Sequence, residues 1–312
     1  MTSALVLDGA AVEAAVSPER AVEAVHDAFV AHARGEWTMP PKVYVTNYPA
    51  GDFRAMPALG GGHALLKWIT SFPGNPERGL PTVAGVVLVS DASTGELRAV
   101  LDAASVTALR TGAAAVLAAE VLGRADAGSA AVVGAGVNGR AAARTFLARG
   151  RAVVLWDVDA ERAARVAEEL GCAVADSREQ ALAADLVVTV TPGREVLFGE
   201  GSLRPGQHVS LMGADGPGKA EAAGAELARA RLFCDEWEQA SHGGELAHAV
   251  EDGLVSRADV TAIGDVLAGT APGRASAGEI TLFDSTGLAI QDLAIALAAL
   301  EAAPAGLPTL AL

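Results

Sequence analysis

Cysteine is scarce in this chain. Only Cys172 and Cys234 occur in 312 residues, far apart and without the CxxC or Cys/His spacing of a metal site. A disulfide framework and a structural zinc site are therefore not expected, and the cytoplasm, a reducing compartment, is the natural setting. The six histidines likewise show no metal spacing, so no metal is expected. Positive charge is also short: Lys+Arg is 23 against 38 Asp+Glu, a formal net charge of −15. Such a chain repels phosphate, which argues against a general nucleic-acid or anionic-membrane binder but not against a small local basic pocket. We read no apolar run as reaching the ~20 residues that span a bilayer. The N-terminus lacks a basic start and meets Asp8 early, unlike a secretory signal. Apolar residues are plentiful, at 51% with 20% charged, which excludes disorder and allows a sizeable core. The length suits two domains of roughly 100–200 residues.

Ser17 as N-cap, Pro18 at the first helical position and apolar Val22, Val25 and Phe29 on one face mark a helix that Gly35 ends. Residues from 40 onward read as β, with strands at 65–69 and 83–89 and a hairpin turn over 91–96 returning through 97–101. An Ala-rich helix is predicted from about 105 to 122. From 129 the pattern changes to short strands (130–133, 153–157, 186–190, 208–212, 231–234) alternating with helices such as 160–170. That alternation indicates a parallel, doubly wound sheet. The chain ends in a helix over 288–300 that reads as amphipathic.

Gly134-x-Gly136-x-x-Gly139 directly follows a predicted strand and opens a predicted helix, and Asp157 ends the next strand about twenty residues on. This is the dinucleotide fingerprint: Gly134 permits the tight turn, Gly136 lets backbone approach a pyrophosphate, and Gly139 lets helix and strand pack closely. The helix N-terminus offers free N–H groups to the phosphates. Asp157 suits the adenosine ribose hydroxyls and disfavours a 2′-phosphate, so NAD is preferred; Arg162 nearby leaves NADP open.

The first half offers cations in apolar surroundings. Lys67 lies within Leu65–Ile69, and Arg110 is the only charged residue between Asp102 and Glu120. A buried guanidinium without a partner is costly, so Arg110 needs a ligand carboxylate, a cofactor oxygen or a structural acid. Lys67 reads equally as a solvated edge-strand residue, and Lys42 and Arg54 as surface cations. Asp215 follows a predicted parallel strand, at the end of the sheet where ligands bind. It suits a general acid/base, or plainly a loop aspartate starting a turn.

These residues, with Phe72 to Asn75, Gly79 to Thr82, Thr107 to Thr111, Gly213 to Lys219 and Phe283 to Asp292 in the same order, resemble the ornithine cyclodeaminase/mu-crystallin family over nearly the whole chain. The resemblance implies an α/β protein: a Rossmann-type doubly wound parallel sheet over 119–287, and a discontinuous α+β substrate and dimerisation domain from 1–118 and 288–312. It implies a homodimer acting on a small amino or keto acid. Lys67 and Arg110, with Thr82 nearby, would bind the substrate carboxylate. Asp215 and Lys67 would be catalytic, Asp215 as acid/base. Thr111, Gly134, Gly136, Val137, Asn138, Gly139, Thr191, Ser285 and Gly287 would contact the cofactor.

Two departures from the cyclodeaminase pattern guide the choice within the family. Lys42 stands where cyclodeaminases carry Arg, and Arg54 where they place a Glu for the second amine of ornithine. A guanidinium there would repel a terminal ammonium by roughly 1–4 kcal/mol. The Lys42/Arg54 pair is similar to archaeal-type alanine dehydrogenases, and Asp215 argues against a non-catalytic, crystallin-like NAD or ligand binder. The expected function is an NAD-dependent oxidoreductase of small α-amino acids, working through an imine. Ornithine cyclodeamination with recycled NAD is the alternative.

Overall fold

The computed structural model describes residues 3–311 other than 215 and 217. It divides into two compact units, one of residues up to 110 together with those from 288, the other of residues 111–287. The division falls inside the helix Ala103–Leu122.

The first unit is built on a seven-stranded sheet in the order Thr309–Ala311, Ser3–Leu7, Leu97–Asp102, Val83–Asp91, His63–Ser71, Gly51–Gly60, Val43–Asn47. The five strands from Val43 to Asp102 form an antiparallel meander. Ser3–Leu7 runs parallel to Leu97–Asp102 and pairs with Thr309–Ala311, so the two ends of the described chain lie side by side. Ser3–Leu7 and Thr309–Ala311 both escaped the sequence reading. The helix Pro18–Ala33 begins as expected: Ser17 accepts the Arg20 N–H at 3.2 Å, and Pro18 occupies the first turn.

Alternation sorts this sheet into two faces. Met56, Ala58, Leu65, Lys67, Ile69, Val87 and Val89 point to the buried face, against which the helix Ala289–Glu301 packs. That helix is not amphipathic as expected. Its residues from Ala289 to Ala296 are all buried, Gln291 and Asp292 included. The opposite face carries Val43, Val45, Phe53, Leu66, Trp68 and Val86, most of them exposed. Trp68 therefore lies on the face away from Lys67.

The second unit is an eight-stranded, wholly parallel sheet. Its order is Val260–Ala262, Arg231–Cys234, Thr281–Asp284, His208–Leu211, Leu186–Thr189, Ala130–Val133, Val154–Trp156, Ala173–Val174. Strand order reverses between Ala130–Val133 and Leu186–Thr189, the switch point at which ligands bind in such sheets. Its four central strands, Thr281–Asp284, His208–Leu211, Leu186–Thr189 and Ala130–Val133, are short and buried on both faces, as helix-covered parallel sheets require. Among the described residues one helix, interrupted by Arg110 and Glu120, is long and apolar enough to cross a bilayer by length and composition alone. It is Ala103–Leu122, and most of it is buried inside the fold.

Candidate active site

In the first unit, Lys67 is not on a solvated edge. It sits in a central strand, 1% exposed, and its Nζ donates to Asp292 Oδ1 at 2.8 Å. The Arg110 Nε lies 3.6 Å from the same oxygen. Arg110 thus finds a structural acid, though its Nε makes no hydrogen bond, and neither does Asp292 Oδ2. Burial lowers the Lys67 amine from 10.5 to about 8; Asp292 opposes that shift, and Arg110 and Arg54 add to it.

Arg54 lies on the same face as Lys67, since Arg54 pairs with Ile69 and Met56 with Lys67. It is not a surface cation. Its guanidinium donates to Asp52 Oδ1 at 2.6 Å and Oδ2 at 3.3 Å and covers the Tyr44 ring at 5.4 Å. The expected repulsion of a substrate ammonium by a bare Arg54 charge is therefore reduced, because Asp52 neutralises it. Lys42 is half-buried and has the strand parity of Tyr44. Thr82 stands apart from this group: it precedes Val83–Asp91, five positions short of Val87, the register partner of Lys67.

In the second unit the glycine loop has the geometry its spacing predicts. Gly134 has φ +105°, and a Cβ there would come within 2.6 Å of the Val190 carbonyl oxygen, across the switch point. A Cβ on Gly139 would collide with the Gly134 carbonyl oxygen. At Gly136 a Cβ would meet nothing. Gly136 caps the helix Val137–Ala148 without any side-chain hydrogen bond, and Val137 is 69% exposed. An open backbone concavity at an uncapped helix N-terminus fits a pyrophosphate. The Thr111 hydroxyl is buried without a partner.

The Asp157 carboxylate is already occupied. It accepts the Ala135 N–H at 2.6 Å, the Asp159 N–H at 2.8 Å and a two-pronged bond from Arg162 at 2.6 and 3.1 Å. Burial works against its charge, but these donors outweigh burial and hold the carboxyl below its usual range. The Thr191 hydroxyl donates to Glu221 Oε1 at 2.6 Å. Ser285 Oγ and the Gly287 N–H donate to Asp235 at 3.1 and 2.8 Å. Asp215 lies outside the described residues.

Several of the acids in this arrangement went unremarked in the sequence. Glu221, fully buried, accepts from Thr189 Oγ1, Thr191 N and Oγ1, and Gly213 N, so it ties together the loops after two adjacent strands. Glu245, also fully buried, accepts the Glu221 and Ala222 N–H groups. Burial, reinforced by the Glu221 charge, raises its carboxyl from 4.5 to about 8. Asp292 shares its mostly apolar helix with one other charge, the terminal Glu301, a contrast that could have marked it. Among the described residues no cluster of His, Cys, Asp and Glu has the geometry of a metal site.

A family model described as the ornithine cyclodeaminase/mu-crystallin family matches residues 3–306. An alanine dehydrogenase of Archaeoglobus fulgidus is 42% identical over 301 residues, covering 94% of this chain and 92% of that protein. Among solved structures, an archaeal alanine dehydrogenase dimer with bound NAD superposes with TM-score 0.93 at 40% identity, covering 99% of each chain. A Delta(1)-pyrroline-2-carboxylate reductase of Thermococcus litoralis, in complex with NADH and L-proline, gives TM-score 0.89 at 27% identity, covering 96% of this chain and 97% of that one.

Proposed function

The chain belongs to the ornithine cyclodeaminase/mu-crystallin family, and within it we propose an NAD-dependent dehydrogenase of small α-amino acids, alanine dehydrogenase-like, that also reduces the corresponding imino acid. The observation that carries this reading is the buried cationic group of the first unit. Lys67 and Arg110 share one carboxylate, with Arg54 on the same sheet face. Lys67, Arg110, Arg54 and Lys42 would pin the substrate carboxylate, because desolvated cations bind carboxylates strongly; Thr82, which stands apart from them, is given no part in it.

In the second unit, Gly134, Gly136, Val137, Asn138 and Gly139 would hold the dinucleotide pyrophosphate, Asp157 its ribose, and Thr111, Thr191, Ser285 and Gly287 its remaining surface. NAD bound there supplies the carbon that takes hydride from, or returns it to, the substrate Cα. For the ribose to reach Asp157, the Arg162 fork has to yield an oxygen; Arg162 then stands ready for a 2′-phosphate, which keeps NADP open. We assign Asp215 to the proton steps, on the strength of its place after the strand His208–Leu211 in a parallel sheet. It would deprotonate the water that adds to the substrate iminium and protonate the departing amine. Both cysteines are free, which supports a cytoplasmic setting.

The deciding assay follows NADH absorbance with ammonia and a panel of keto acids led by pyruvate, beside NAD with alanine, ornithine, lysine, arginine and proline. Oxidation of NADH with pyruvate and ammonia is expected. Ammonia and proline from ornithine without net NADH would overturn the dehydrogenase reading in favour of cyclodeamination.

We assign a homodimer through the outer face of the first unit's sheet. That face exposes Val43, Val45, Leu66, Trp68 and Val86, with Phe53 stacked on Trp68 at 5.8 Å. A contiguous apolar sheet face of this kind is characteristic of an interface, and the archaeal relative named above was solved as a dimer. Light scattering should give twice the chain mass for the native protein and the single mass for Trp68→Glu. A monomeric native protein, or a dimer that Trp68→Glu leaves intact, would remove this face from consideration.

A further inference from the structure

Asp292 lies 225 residues from Lys67, on a helix whose other residues from Leu293 to Leu300 are apolar. A carboxylate on such a buried helix is costly unless it is paired, and here it has cations on two elements. Lys67 approaches from the strand His63–Ser71 at 2.8 Å, and Arg110 from the helix Ala103–Leu122 at 3.6 Å. Arg54, on the strand next to that of Lys67, adds a third positive charge, shared with Asp52. On the other side of Lys67, the register partner is the uncharged Val87. Two guanidinium groups, those of Arg110 and Arg54, therefore act on a fully buried amine, and among the described residues the one carboxylate hydrogen-bonded to it belongs to Asp292.

Resting on the carboxylate-binding role assigned above, we propose that Asp292 is a positioning residue: it aims the Lys67 amine and keeps it protonated, so that the site retains its substrate-binding cation. Without Asp292, burial and the two guanidinium groups all act to discharge Lys67. A neutral amine cannot anchor a carboxylate. The arrangement also explains why the carboxylate is shared unevenly. The nearer ligand, Lys67, is the one whose charge is at risk, whereas the guanidinium of Arg110 stays charged in any protein environment. Asp292 Oδ2 is left without a partner, so the pair's strength rests on Oδ1 alone.

The chain contains only three lysines, Lys42, Lys67 and Lys219, which makes a direct test practical. Protein labelled with [ε-13C]lysine should give three resolved Cε correlations, and Lys67→Arg identifies the one belonging to Lys67. In the native protein that signal is expected to titrate with a midpoint of about 8. Asp292→Asn should lower the midpoint by at least about one pH unit, a tenfold change in proton affinity. Arg110→Gln should move it the other way, which keeps the test decisive if Asp292→Asn fails to fold. A Lys67 midpoint that neither variant moves, or one at the ordinary lysine value in the native protein, would overturn the proposal. The readout is independent of turnover. If no amino or keto acid is a substrate, the functional reading fails while the NMR result still decides the role of Asp292. If both hold, the KM for pyruvate should rise above pH about 8 in the native enzyme and from a lower pH in Asp292→Asn, with NADH affinity unchanged in both.

Discussion

Alanine at Gly136 is expected to leave the thermal unfolding midpoint within about 2 °C of native and to weaken NAD binding roughly 10- to 100-fold. Alanine at Gly139 should lower both the unfolding midpoint and NAD affinity. The two positions differ in what a methyl group would meet. At Gly136 the φ is −72° and the space around a Cβ is empty of protein, so the fold accepts alanine and only the approach of a pyrophosphate is lost. Charge-assisted bonds to the helix N-terminus are then stretched or broken. At Gly139 the methyl would run into the Gly134 carbonyl oxygen, with Val132 Cγ1 behind it at 3.5 Å. Strand and helix would have to separate, at a cost of about 3 kcal/mol or more. Differential scanning calorimetry and a fluorescence titration with NADH separate the two effects. Undiminished NADH affinity in Gly136→Ala would show that the pyrophosphate does not approach there.

Opposite consequences are expected for two neighbouring buried carboxyls. Glu221→Gln should destabilise the protein by about 2–4 kcal/mol, because an amide NH2 replaces an oxygen that accepts two donors. On either oxygen, one of those donors is a backbone N–H, that of Thr191 or Gly213, which cannot turn away. Glu245→Gln should instead gain on the native protein as pH rises. In the fold the Glu245 carboxyl ionises near 8, against 4.5 when exposed, because burial and the Glu221 charge oppose its ionisation. Between those values the folded chain holds a proton that the unfolded chain has released, so the contribution of Glu245 to stability falls as pH climbs from about 4.5 to about 8. Glutamine does not ionise, and the difference in urea unfolding free energy between variant and native should grow across that window and then level off. A difference constant from pH 5 to 8 would show that Glu245 is already ionised in the native state at pH 5.

What was legible in the sequence was what local chemistry encodes. The glycine loop, the short buried strands, the Ser17–Pro18 helix start and the two cations Lys67 and Arg110 each announce themselves by spacing or by contrast with apolar neighbours. What was not legible depends on residues distant in the chain. Asp292, Glu221, Glu245 and Asp235 look like surface acids until the partners that satisfy them are brought together. A carboxylate in a list of residues carries no mark of burial. The charge of Arg54 was misjudged for the same reason: Asp52, two residues away, becomes its partner only because strand alternation puts both on one face. The final helix, expected to be amphipathic, instead buries its polar residues Gln291 and Asp292. Asp157 was recognised as an acid ending a strand, but the guanidinium that occupies it had been weighed only as a neighbour.

The interleaving of the first unit along the chain also sets an order of assembly. Residues 111–287 are contiguous and can close on themselves as soon as they are made. The first unit cannot: its sheet and its cationic group await the helix Ala289–Glu301 and the strand Thr309–Ala311. At a synthesis rate of about 5–20 residues per second, Lys67 exists for roughly 10–45 s before Asp292 is added. Throughout that interval burying Lys67 would leave its amine without its carboxylate, so the earlier-made half stays open, and the unit of residues 111–287 is completed before the other.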